Sequence, residues 1–198
     1  MILVTIPTNK SEYEIAPLVN IIEGYSYPIR VYASCHKNVS ASVNRNACIN
    51  EAIRRQEVDR IIMVDDDMRG FYKGWCDAMV APLEDPLVSA VSARLITKDG
   101  APGFMMGMEG KTDTEGLIEV NKMPSACIAF RVQDYISFCE EFKGSGFEDL
   151  YWCWQHKKRN PEMKFIVNAD CKLIHLNEQK NQSVNDAHNR AVYERLTK

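Results

Sequence analysis

Arg60-Ile61-Ile62-Met63-Val64-Asp65-Asp66-Asp67 is the stretch that decides the fold. Residues 61–64 are apolar and mostly β-branched, the mark of a strand buried on both faces. The run stops abruptly in three carboxylates. Adjacent carboxylates repel, so a fold rarely keeps three together without a compensating cation. A solvated acidic turn is the plainer alternative, but such turns more often use Gly, Asn or Pro. In open α/β sheets, ligands bind beyond the carboxyl ends of strands. Hard oxygen donors there favour Mg²⁺ or Mn²⁺.

The same grammar extends outward. Residues 2–6 form another short apolar run, closed by Pro7-Thr8-Asn9. Ser11-Glu12-Tyr13-Glu14 has capping-box spacing and predicts a helix to about Gly24. A second strand follows Pro28, over 29–33. Ser40 or Ser42 is placed to cap a helix through Val43, Ala47, Ala52 and Ile53. A helix over 71–80 and a strand over 87–96 come next. Strands alternating with helices predict an α/β fold with a mostly parallel central sheet flanked by helices. Residues 97–116 are glycine-rich and read as a long, flexible loop of the kind that is either functional or disordered. Strands are expected over 117–120, 126–132, 164–167 and 172–176, and helices over 134–142 and 148–158. Val184, Ala187, His188, Ala191, Val192 and Leu196 predict a closing amphipathic helix.

Composition narrows the classes. The chain has 198 residues, 45% hydrophobic and 26% charged, which excludes a disordered chain and suits one large domain. Its 24 Lys and Arg against 27 Asp and Glu leave a net charge of −3, unlike a protein built to coat nucleic acid. No apolar run is long enough for a membrane span, and the N-terminus reads as a strand rather than a signal peptide. The seven cysteines show no C-x-x-C pair and read as reduced, buried thiols of a cytoplasmic protein. Cys171 and His175, four apart, lack the second close pair that a structural zinc needs.

Three further groups carry chemistry. Asn44-Arg45-Asn46-Ala47 opens a helix, and Arg45 suits a diphosphate or the acidic cluster. Gly144-Ser145-Gly146-Phe147-Glu148-Asp149 delivers two carboxylates at a helix start, as caps or as a general base. His175-Leu176-Asn177 ends a strand, and a lone His gains meaning only if the fold brings it to the aspartates. Residues 178–185 are polar, with Lys180 as a phosphate contact in a mobile lid. Phe147, Trp152 and Trp154 suit either a sugar face or the core.

Taken in order, these pieces resemble a glycosyltransferase of the GT-A fold, a Rossmann-like nucleotide-diphospho-sugar transferase, and specifically the family 2 type. The resemblance covers about residues 1–178. Asp65-Asp66-Asp67 looks like the family's DxD motif, and Gly146-Phe147-Glu148-Asp149 like its ED motif. It implies sugar transfer from a nucleotide-diphosphate donor, a UDP-sugar by expectation, to a hydroxyl on a glycan, glycoprotein or other acceptor. Inversion with a carboxylate base is the implied course. Pro7, Thr8 and Asn9 would lie against base and ribose, and Arg45 against the nucleotide or the carboxylates. Asp65 would face the ribose or the metal, and Asp66 the ribose or donor sugar. Asp67 and His175 would bind Mn²⁺ or Mg²⁺. Asp149, supported by Glu148, would deprotonate the acceptor. Residues 1–198 are expected to form one catalytic domain. In it, 1–96 would bind the nucleotide sugar, 97–178 would carry acceptor and catalysis, and 179–198 would form a C-terminal lid and helix. A cytoplasmic enzyme, virus- or phage-encoded, fits this compact form.

Two alternatives belong to other classes. A nucleotidyltransferase of related architecture would need a Gly-rich loop after the first strand, where Pro7-Thr8-Asn9-Lys10 stands. A non-catalytic sugar-binding module would not need the pairs Asp65/Asp67 and Glu148/Asp149.

Overall fold

Strand β1 (Ile2–Thr8) lies between β2 (Arg30–Cys35) and β3 (Arg60–Val64), parallel to both. The computed structural model describes residues 1–25, 30–55, 58–103, 107–108, 114–176 and 185–198, apart from the side chains of Cys35 and Arg55. Helix α1 (Glu12–Tyr25) makes the first crossover and α2 (Ala41–Arg55) the second. Because β1 is central, the two helices fall on opposite faces. Both helix starts are written locally. The Ser11 N–H donates to Glu14 Oε2 at 2.8 Å and the Glu14 N–H returns to Ser11 Oγ at 3.4 Å, the reciprocal capping box. At α2 it is Ser40 that caps, its Oγ accepting from the Val43 N–H at 3.3 Å.

The chain continues through β4 (Met68–Arg69), α3 (Trp75–Val80), β5 (Val88–Ile96), β6 (Leu117–Val120) and β7 (Cys127–Arg131). It closes with α4 (Glu148–Arg159), β8 (Lys164–His175) and α5 (Asp186–Leu196). The strand order is β2-β1-β3-β7-β5-β8-β4, with β6 also paired to β8. One apolar cluster packs α1 and α3 on one face, through Ile15, Leu18, Ile22, Trp75 and Met79. The other packs α2 and α4 on the opposite face, through Ile49, Trp152, Phe130 and Phe165.

The sheet is mixed, which corrects the expectation of a mostly parallel one. Strand β7 runs antiparallel to both β3 and β5, and β4 and β6 run antiparallel to β8. Strands β6 and β7 thus run in the same direction, opposite to β5 and β8, and such antiparallel members set among parallel strands are common in large sheets. The reversal brings the start of β7 to the site, where the Asp65 N–H donates to the Ala126 carbonyl at 2.7 Å.

Two other expectations change. The strands expected over 164–167 and 172–176 form a single strand that ends at His175, interrupted by a bulge between Asn168 and Lys172. The Asn168 side chain closes that bulge by accepting from the Asp170 N–H at 3.1 Å and the Cys171 N–H at 3.3 Å. No helix forms over 134–142. A short 3₁₀ turn (Val132–Asp134) is followed by irregular chain. There the Asn46 side chain takes both backbone groups of Phe138, at 2.8 Å each, which a helix would have used internally.

Candidate active site

The Asp65-Asp66-Asp67 segment leaves the end of β3 and passes directly into β4. Pairing of β4 with the end of β8 carries the chain from β3 to the far edge of β8, with Met68 opposite His175. This places His175 Nε2 3.3 Å from Asp67 Oδ1. One ligand atom from each of Asp65, Asp67 and His175 lies within 4.8 Å of the others. Two carboxylates and an imidazole are a donor set for Mn²⁺ or a similar divalent ion. Burial alone would lower the His175 pKa, but its hydrogen bond to Asp67 and the charges of Asp67 and Asp65 leave it raised. Cys171 takes no part: it is buried, its Sγ 4.0 Å from the Trp75 carbonyl.

Asp66 points elsewhere. Its carboxylate accepts from the Thr8 hydroxyl at the end of β1 and lies 3.5 Å from Lys10 Nζ. Arg69 Nη1 donates to the Asp66 carbonyl at 3.1 Å. Lys10 and Arg69 thus bring two cations to the crevice between β1 and β3, which the sequence reading missed. The signal was their spacing, two residues beyond Thr8 and two beyond Asp67. Pro7 and Thr8 are buried at the end of β1, and Asn9 is exposed. Lys180, with Asn177 and all but the last residue of the lid expected over 178–185, lies outside the described residues.

Arg45 is the hinge of the site. It is 7% exposed, on α2. Its Nη2 donates to both oxygens of Asp65, at 3.2 and 3.1 Å, and its Nη1 to Glu148 Oε1 at 3.0 Å. Burial opposes its charge, but Asp65, then Glu148 and Asp149, outweigh that and raise its pKa. Asp65 is raised as well, by burial first, with Arg45 pulling the other way and Asp67 adding to the rise.

Glu148 and Asp149 open helix α4. Glu148 is buried and fully engaged: Oε1 holds Arg45, and Oε2 accepts from the Gly146 N–H. Asp149 is half-buried and accepts from the Leu150 N–H at 2.9 Å. Burial first, then the neighbouring Glu148, push its pKa up to about 7, against a smaller pull from Arg45. A carboxyl so poised can exchange a proton near neutral pH. Of the aromatic residues near this turn, Trp152 is core, stacked on Phe138 at 5.6 Å. Trp154 lies between Tyr151 and the Lys158 ammonium.

No protein-family model matches the chain, and no curated protein matches it in sequence. Solved structures similar to it include A197 from STIV, 17% identical, with a TM-score of 0.59 over 90% of this chain and 95% of that one. They also include the mannosyltransferase PcManGT from Pyrobaculum calidifontis, solved with GDP-Man and Mn²⁺. It is 15% identical, with a TM-score of 0.61 over 98% of this chain and 61% of that one. The chain therefore spans less than two thirds of that enzyme's length. At these identities the likeness is one of fold. Among the described residues, no helix is long and apolar enough to cross a membrane.

Proposed function

We propose that this chain is a metal-dependent glycosyltransferase of the GT-A, family 2-like kind, acting on a nucleotide-diphosphate sugar. The single observation that carries the reading is the joint arrangement around Arg45. A metal-competent group of Asp65, Asp67 and His175 stands on one side of its guanidinium, and a carboxyl poised near neutral pH on the other. The fold likeness to a mannosyltransferase solved with GDP-Man and Mn²⁺ supports it.

Asp67 and His175, with Asp65, would hold Mn²⁺ or Mg²⁺. When bound, such an ion offsets the negative charge that develops on a departing diphosphate. Lys10 and Arg69 add positive charge beside Asp66, where phosphate oxygens are best received. Thr8 fixes the Asp66 carboxylate toward the nucleoside, with Pro7 and Asn9 flanking it. Lys180 is proposed as a further phosphate contact. Asp149 takes the proton from the acceptor hydroxyl, and the freed oxygen pair forms the bond to the anomeric carbon. The bond from that carbon to the diphosphate oxygen breaks, and the nucleoside diphosphate leaves with its electron pair. Attack from the face opposite the leaving group gives inversion. Glu148 does not exchange protons in this scheme; its two bonds lock the turn and hold Arg45. One catalytic domain results, with 1–96 serving the donor and 97–178 the acceptor.

A UDP-sugar is the first donor to try, and GDP-mannose the second. Thermal unfolding with UDP, GDP and CDP, each with and without Mn²⁺, tests the donor site. A diphosphate at about 100 times its dissociation constant adds about 2.7 kcal/mol of stability. A rise seen only when nucleotide and Mn²⁺ are both present supports the reading and names the base. No rise with any nucleotide removes it.

A further inference from the structure

The turn that delivers Glu148 and Asp149 is held from outside by the C-terminal helix. Gly144 and Gly146 have φ of +60° and +111°, and Phe147 has φ of +70°. The left-handed region suits glycine but is a strained setting for a bulky aromatic residue. Phe147 immediately precedes the two carboxylates and occupies the N-cap position of α4 with no side-chain cap. Strain of this kind persists only where the surroundings over-determine it.

Helix α5 supplies that constraint. Asn189 is fully buried. Its Oδ1 accepts from the Lys143 N–H at 2.9 Å. Its Nδ2 donates to the carbonyls of Lys143 at 2.9 Å, Gly146 at 3.0 Å and Ser145 at 3.4 Å. One amide thus binds the backbone of three of the four residues before Phe147. The Phe147 ring is gripped as well, by Tyr193 with centroids 5.8 Å apart and by the Arg190 guanidinium 5.3 Å from its centre. From the other side, the Ala41 N–H at the start of α2 donates to the Gly144 carbonyl at 2.8 Å.

Resting on the proposed reading of the site, we infer that Asn189, with Tyr193 and Arg190, positions the catalytic base. Their contacts are with the turn itself. They fix the strained Phe147 backbone, and through it the direction of the Asp149 carboxyl. A misplacement of about 1 Å can cost about 10²-fold in rate, so their effect belongs in turnover and not in donor affinity.

The test uses full-length protein and follows release of nucleoside diphosphate from UDP-glucose and from GDP-mannose with Mn²⁺. Asn189→Asp keeps the acceptor for the Lys143 N–H but turns a carboxylate oxygen toward three carbonyls. Its kcat should fall about 10²-fold while donor KM stays unchanged. The acid limb of the rate profile should move down toward the ordinary carboxylate range, as water enters around Asp149 beside Glu148 and Arg45. Tyr193→Leu, at a half-exposed position, should show the same split with about a ten-fold fall in kcat. If Asn189→Asp does not fold, Tyr193→Leu and Arg190→Ala carry the test. A lowered melting temperature with kcat and the acid limb unmoved would overturn the inference and leave α5 as a structural brace. Asp149→Asn is run alongside. If it retains full turnover, the assignment of the base fails; if it is inactive while the α5 variants behave as wild type, only the positioning role fails.

Discussion

Two acidic clusters face each other across Arg45, and the fold treats them differently. At the end of β3 there are three carboxylates with three partners: Asp65 with Arg45, Asp66 with Lys10, and Asp67 with His175. At the start of α4, two carboxylates share Arg45, which is already engaged by Asp65. Glu148 takes that cation directly, and Asp149 is left with burial and a like charge, so its pKa climbs to about 7. A cluster in which the donor atoms of Asp65, Asp67 and His175 converge, with Lys10 beside Asp66, suits holding a metal and a diphosphate. One that is short of positive charge suits moving a proton.

The largest expected effect comes from removing the unmatched group. Asp149→Asn should lower transfer or donor hydrolysis by about 10²–10⁴-fold, while the Mn²⁺-dependent stabilisation by nucleotide is retained. Losing both would mean that the clusters are not separate in function. Next is Arg45→Met, which strips the shared cation. Leaving Glu148 buried and unpaired should cost about 3–5 kcal/mol, read by urea unfolding. The same change removes a pull that lowers the Asp149 pKa, so the acid limb of any remaining activity should move to higher pH.

Asp67→Asn strikes the matched cluster. It should abolish the roughly 2.7 kcal/mol of metal-dependent stabilisation by nucleotide and leave the unliganded melting temperature nearly as before. If that temperature fell sharply, Asp67 would be a structural carboxylate first.

A further effect separates the clusters by pH alone. The folded pKa of Asp149 lies above its ordinary value of 3.8. Between those limits the folded state holds a proton that the unfolded state has lost, so stability falls as pH rises from about 4 to about 7 and levels off above. In Asp149→Asn this decline disappears. The melting temperature of the variant should therefore exceed that of the wild type by an amount that grows over the same window. A constant difference would place the raised pKa elsewhere.

Which parts could be read in advance follows from how locally they are encoded. The Ser11–Glu14 capping box, the Ser40 cap, β1, β3 and the start of α4 depend on a few neighbouring residues, and they form as the patterns predict. The helix expected over 134–142 shows the opposite case. Ile136, Cys139 and Phe142 carry a helical rhythm, but Asn46, 92 residues earlier in sequence, takes the backbone hydrogen bonds of Phe138. The mixed sheet was hidden for a related reason. Strand direction depends on how the connecting chain returns to the sheet, and hydrophobic runs do not record that.

The sequence by itself determined that a buried strand ends in three carboxylates and that a glycine-rich turn delivers two more to a helix start. It also determined that Arg45 lies on a helix that precedes both clusters in chain order. Strand period, helix capping and turn chemistry act over a few residues, so these features were readable. Only the tertiary structure decided that Asp67 meets His175, that Arg45 joins Asp65 to a glutamate 103 residues away, and that Asn189 clasps the turn before Asp149. Those contacts exist because the pairing of β4 with β8 and the seating of α5 bring distant chain together. No local pattern specifies which distant groups will meet.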